Sequence, residues 1–131
     1  MRKEPDNLKY TKNHVWVKLR GKIATIGITQ YMLKRLGTLI YLDIPQAGDE
    51  MLAGITFGEV ESLNGIFDLV CPVEGTVIKD NEQLLENLDT LSKDPYGDGW
   101  LIKIRVADLK RLNSLMTAEE YKKYTGNGVN R

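Results

Sequence analysis

At 131 residues, with 42% apolar and 27% charged side chains, the chain has the size and mix of one ordinary globular domain. Eighteen basic and eighteen acidic residues cancel, so no global field directs it to nucleic acid or anionic lipid. One cysteine excludes an internal disulfide, and one histidine beside it is too small a donor set for a soft-metal site. No apolar run reaches membrane length and Met1 to Asp6 lacks a signal-peptide apolar core, so a cytoplasmic protein is expected.

Residues 1–9 are polar and read as a loose lead-in. Val15, Val17 and Leu19 alternate with Trp16 and Lys18, which predicts a strand turning at Arg20-Gly21 into Ile23–Ile26. A short helix follows over about 29–36. Thr29 suits its N-cap, Lys34 and Arg35 suit the negative end of the dipole, and Gly37 stops it. Leu39 to Ile44 reads as a strand closed by Pro45-Gln46-Ala47-Gly48, and Gly54 to Leu63 as the next.

Gly58 to Gly75 organises the rest. Two apolar-rich strands meet at Asn64-Gly65 and close at Pro72-x-x-Gly75. Asn-Gly is the strongest two-residue hairpin signal, because a type I′ turn needs positive φ at both central positions. The expectation is a protruding hairpin with Leu63, Asn64 and Gly65 at its tip.

Thr76–Ile78 resumes a strand, and Glu82 to Leu88 predicts a helical turn or two. Asp94-Pro95-Tyr96-Gly97-Asp98-Gly99 is dense turn chemistry, without the ligand spacing of a calcium loop. It feeds an alternation of Trp100, Ile102, Ile104 and Val106 against Leu101, Lys103 and Arg105. Thr117-x-x-Glu120 is a capping box announcing a C-terminal helix, with Met116 and Tyr121 placed as its staple. The tail after Gly126, residues 126–131, is expected to be flexible. A strand ending in Pro45-x-x-Gly48 recurs 27 residues on as one ending in Pro72-x-x-Gly75. That echo, with many short strands, favours a mainly β fold, a flattened barrel with approximate two-fold symmetry.

The chain resembles the H protein of the glycine cleavage system, within the lipoyl/biotinyl-carrier fold. The resemblance runs from about Tyr10 to Tyr124. It rests on Tyr10-Thr11-Lys12-x-His14-x-Trp16-Val17, Ala24-Thr25-Ile26-Gly27-Ile28-Thr29-x-Tyr31, Leu36-Gly37-x-Leu39 through Pro45-x-Ala47-Gly48, Phe57-Gly58-x-Val60-Glu61-Ser62, Pro72-Val73-x-Gly75 and Asp94-Pro95-Tyr96-Gly97-Asp98-Gly99-Trp100. It implies one domain over 1–131, a barrel-sandwich hybrid of the lipoyl-carrier type. It also implies a carrier rather than an enzyme: a lipoyl group on a tip lysine takes an aminomethyl group from one glycine cleavage component to the next. In such a system the chemistry belongs to the cofactor and the partner enzymes.

The sequence departs from the family at that lysine. Where the family reads Glu-Ser-x-Lys, this chain reads Glu61-Ser62-Leu63-Asn64, and no lysine stands between Lys34 and Lys79. An asparagine amide cannot be lipoylated, so no lipoate and no other cofactor is expected. The favoured reading is a non-lipoylated, protein-binding member, with glycine cleavage components or lipoate-handling enzymes as partners and neither nucleic acid nor membrane. The alternative is a working carrier lipoylated at another lysine.

By resemblance Glu61 is a docking candidate. Ile66 and Phe67 join it, either as an exposed apolar patch or, the favoured reading, filling the groove the arm leaves. Glu59 and Glu61 share a strand face and read as a solvated acidic edge. His14, beside Trp16 in a strand, reads as structural, and Cys71 before Pro72 as a buried, inert thiol. An enzyme using either residue is the least favoured class, and no catalytic or metal-binding residue is expected.

Overall fold

Two antiparallel sheets share one core in the computed structural model, which describes residues 5–126. In chain order the elements are β1 (Lys9–Tyr10), β2 (Val15–Arg20), β3 (Ile23–Ile28), α1 (Gln30–Leu36), β4 (Leu39–Asp43), β5 (Glu50–Met51), β6 (Thr56–Ser62) and β7 (Gly65–Val70). Then come β8 (Gly75–Asp80), α2 (Gln83–Glu86), α3 (Asp89–Lys93), β9 (Ile102–Val106), a 3-10 helix (Leu109–Ser114) and α4 (Ala118–Tyr124). The larger sheet has the order β1-β2-β3-β9-β8-β5 and the smaller β4-β6-β7. This is the mainly β barrel-sandwich arrangement, with two sheets in place of one closed barrel.

Alternation builds the shared core. Val15, Val17, Ala24, Ile26, Ile102 and Ile104 face inward from the larger sheet, and Leu42, Val60 and Leu69 from the smaller. The outer face of each sheet therefore points away from the other. The Pro-x-x-Gly echo is a structural pairing: the corner at Gly48 leads into β5, which pairs with β8 as Glu50 opposite Thr76 and Met51 opposite Gly75. Gly48 N–H donates to the Val77 carbonyl at 2.7 Å.

A second, smaller cluster covers one end of the larger sheet. Leu8, Tyr10, Trp16, Ala118 and Tyr121 are buried there, with Met116 and Trp100 packed against them. Trp16 lies over Gly27, where a Cβ would overlap its indole, and its Nε1–H donates to the Pro95 carbonyl at 3.1 Å. Both halves of the capping box form, Thr117 N–H to Glu120 Oε1 at 2.8 Å and Glu120 N–H to Thr117 Oγ1 at 3.2 Å. That fixes α4 so that Tyr121 stacks on Tyr10 with ring centroids 4.9 Å apart.

Three expectations are corrected. The lead-in is not loose throughout: Leu8 is buried and Lys9 opens β1, because α4 and Trp16 offer an apolar seat for Leu8. Residues 1–4 lie outside the described residues, as do 127–131 of the expected flexible tail. The alternation before β9 breaks at its start. Leu101 is fully buried while Trp100 turns to the outer side beneath Lys79 and Lys103, because the strand begins only at Ile102. His14 is not in a strand but in the bend before β2 with φ of 65°. α3 and the 3-10 helix carry no strong periodic signal and were not expected.

Candidate functional site

The hairpin tip is built by β6 and β7. Glu61 pairs with Ile66 and Ser62 with Gly65, which leaves Leu63 and Asn64 as the two central residues. The turn is thus centred one residue earlier than the Asn-Gly rule predicts. Among the described residues His14 alone has positive φ without being glycine, so Asn64 is not left-handed; the positive φ of 137° falls on Gly65. The type I′ expectation is corrected accordingly.

Tertiary hydrogen bonds explain the shift. Leu63 N–H donates to the Thr38 carbonyl at 3.1 Å, and Asn64 N–H to Ser62 Oγ at 3.1 Å. The Asn64 carboxamide donates to the carbonyls of Leu36 at 3.1 Å and Arg35 at 3.3 Å. Those carbonyls belong to the last turn of α1, where helix geometry leaves acceptors without an intrahelical donor. Gly37, with φ of 73°, ends the helix, and a Cβ there would come 3.3 Å from Asn64 Nδ2. The tip therefore leans on the end of α1 instead of protruding freely.

Around it the sequence-predicted docking residues divide between two faces. Glu61 lies directly opposite Ile66, and Tyr41 directly opposite Glu61, so these three form one row on the outer face of the smaller sheet. Ile66 is 62% exposed and Leu63 73%. Phe67 takes the inner face, half-buried against the main core with its ring 6.5 Å from that of His14. Phe67 thus fills space from within the molecule, and Ile66 stays in solvent. Glu59, in the next outer row, lies between Asp43 and Asp68.

Beside Phe67 is an aromatic cluster whose members come from distant parts of the chain. His14 Nδ1 is 2.8 Å from the Tyr121 hydroxyl, which is 2.8 Å from Thr29 Oγ1. Thr29 is also the N-cap of α1, accepting from Met32 N–H at 3.3 Å. The Tyr31 ring lies 5.2 Å from that of His14 and carries the Arg35 guanidinium at 4.6 Å. Burial, and then the Arg35 charge, hold the His14 pKa below its ordinary value. A neutral imidazole accepting at Nδ1 lets Thr29 donate to Tyr121 and Tyr121 to His14, a structural relay. Tyr121 is 107 residues from His14, so nothing local in the sequence could have joined them.

Cys71 is buried, its thiol donating to the Val73 carbonyl at 2.9 Å. Burial pushes its pKa up to about 11, the Val73 contact opposing and Glu74 adding to the rise. Such a thiol is a poor nucleophile at neutral pH. Among the described residues no group of three or more His, Cys, Asp or Glu could hold a metal ion, and no helix is long and apolar enough to cross a membrane.

A lipoyl arm would need a primary amine at the tip. The residue that the resemblance places there ends in a carboxamide, whose nitrogen is delocalised into its own carbonyl and is already donating to α1. This donor does not fit the group.

The likeness to known proteins covers nearly the whole chain. A family model described as glycine cleavage H-protein matches residues 8–128. The glycine cleavage system H protein of Halothermothrix orenii is 43% identical over 120 residues, 92% of this chain and 94% of that one. That of Bacteroides thetaiotaomicron is 46% identical over 118 residues, covering 90% and 94%. The crystal structure of a glycine cleavage system H protein from Mycobacterium marinum superposes with a TM-score of 0.86 at 31% identity, covering 93% of this chain and 98% of that one. With the two-sheet scaffold and a family match over both sheets and the hairpin, the chain belongs to the glycine cleavage H-protein family.

Proposed function

We propose that this chain is a cytoplasmic H-protein scaffold that takes no lipoyl group at its hairpin tip and acts by binding proteins. Its partners on this reading are glycine cleavage components or lipoate-handling enzymes. The observation that carries it is Asn64, a carboxamide where the family pattern has lysine, used here to close the end of α1. No lysine stands between Lys34 and Lys79 to replace it.

What the tip does offer is a surface. Tyr41, Glu61 and Ile66 form a mixed apolar and acidic row beside the exposed Leu63. An aromatic and aliphatic centre with a charged neighbour is the composition of a protein-docking patch. It suits a partner presenting an apolar side chain flanked by a cation.

The test is an intact mass of the protein purified from cells with active lipoate attachment, with Asn64→Lys alongside. The expected result is no adduct on the native chain and a lipoyl increment on Asn64→Lys, which supplies the missing primary amine. A lipoyl increment on the native chain would overturn the reading. A bare Asn64→Lys would remove lipoate-attaching enzymes from the partners and leave the glycine cleavage components.

A further inference from the structure

The zero net charge conceals two faces of opposite sign. On the outer face of the larger sheet, Lys18 lies opposite Thr25, Thr25 opposite Lys103, and Lys103 opposite Lys79, one row across β2, β3, β9 and β8. The adjacent row is Arg20, Ile23, Arg105 and Thr76. Five cations thus share one surface, with a shallow depression of about 370 Å³ lined by Lys18, Arg20, Ile23, Thr25 and Lys103. Trp100 lies beside two of these cations, with Lys103 Nζ 5.2 Å and Lys79 Nζ 5.9 Å from its ring. Glu50 ends the second row opposite Thr76, whose hydroxyl donates to it, and Asp80 beside Lys79 accepts from the Ala47 N–H, so these carboxylates keep to the β5–β8 edge of the face.

The smaller sheet shows the complement. Asp43, Glu59 and Asp68 stand directly opposite one another in one row, and Tyr41, Glu61 and Ile66 in the next. The two sheets share a core, so these outer faces look in opposite directions. Like charges directly opposite across strands destabilise a sheet. This chain carries that cost on both outer faces.

We propose that the basic face is a docking surface and that its occupant is the acidic sheet of a second copy of this chain, held head to tail. Complementarity of charge and of layout argues for that occupant. Both faces are antiparallel, with strands about 4.8 Å apart and successive outward rows roughly 7 Å apart, so the spacing of charged rows is the same on the two. Each has one purely polar row beside a row in which charge and apolar side chains mix, Arg20-Ile23-Arg105 against Tyr41-Glu61-Ile66. A chain without net charge has no self-repulsion to hold copies apart. The contact joins two different surfaces, so it leaves one face of each sign free at the ends and extends with concentration. It does not rest on the reading of Asn64.

The experiment is light scattering and sedimentation of the full chain against concentration, at roughly 20 mM and roughly 500 mM salt, which spans weak to strong screening. The expected result is a mass that rises above 14.8 kDa with concentration at low salt and returns to 14.8 kDa at high salt. Lys18→Glu with Arg105→Glu leaves Arg20, Lys79 and Lys103 against two glutamates on the basic face, and Asp43→Lys with Asp68→Lys leaves two lysines against Glu59 and Glu61 on the acidic one, so each variant loses one charged face and keeps the other. All four side chains are exposed, and circular dichroism confirms folding. Each double variant alone should stay monomeric at low salt, and an equimolar mixture of the two should associate again. A native chain monomeric at every concentration in low salt overturns the proposal. So does association that survives in either double variant alone. If the native chain stays monomeric but binds poly-L-glutamate through Lys18 and Arg105, the occupant is an acidic protein other than a second copy.

Discussion

The carboxamide of Asn64 donates to the carbonyl of Leu36 at 3.1 Å and so ties the hairpin tip to the last turn of α1. The residue that the resemblance sets at the lipoyl position serves here as a helix cap. Its Nδ2 carries partial positive charge toward the partial negative charge of a helix end, the favourable sense.

Removing that cap should be measurable. Asn64→Ala leaves the Arg35 and Leu36 carbonyls to water and is expected to cost about 0.5–1.5 kcal/mol. Asn64→Asp brings a carboxylate to the same carbonyls and should cost more. Urea midpoints should fall in the order native, Asn64→Ala, Asn64→Asp. An Asp variant as stable as the native chain would show that the two hydrogen bonds contribute nothing in solution.

The same residue marks where sequence reasoning runs out. Capping signals were legible because they are local: Thr29, Gly37 and the Thr117–Glu120 box all act within four residues. The alternation of β2 and β3 was legible because one face is buried throughout. The turn register was not, because Leu63 N–H and the Asn64 side chain answer to Thr38, Arg35 and Leu36, which an Asn-Gly rule does not see. Charge segregation was hidden for the same reason. Lys18, Lys103 and Lys79 become neighbours only through strand order, while a sum over the chain returns zero.

Gly27 tests the second core. Its missing Cβ is the space the Trp16 indole occupies, and the Pro95 carbonyl holds that indole in place. Gly27→Ala must push the ring off its seat, an overpacking change expected to cost about 1–3 kcal/mol. Lower thermal stability together with altered tryptophan emission is the expected pair of readouts. Unchanged emission with full stability would mean that the indole has room to move.

Cys71 should be chemically silent in the folded chain. With its pKa pushed up to about 11, about one thiol in a thousand is ionised at pH 8, and the sulfur is buried besides. Alkylating reagent at that pH should label the unfolded chain in urea and leave the native chain unmodified over the same time. Rapid labelling of the native chain would contradict the burial of the β7–β8 connection.

His14 gives the pH dependence its sign. Its folded pKa lies below the ordinary 6.5, chiefly through burial and then through Arg35. The unfolded chain therefore binds the proton first as pH falls, and stability drops as pH passes below about 6.5 until the folded pKa is reached. Protonation at Nδ1 also removes the acceptor for the Tyr121 hydroxyl, which breaks the relay to Thr29 and the N-cap of α1. His14→Asn keeps a residue that tolerates the positive φ but does not titrate. Between about pH 7.5 and 5.5, where histidine is the side chain that ordinarily titrates, the native urea midpoint should fall further than that of His14→Asn. Equal falls in the two proteins would place the acid sensitivity on carboxylates and leave His14 without a part in it.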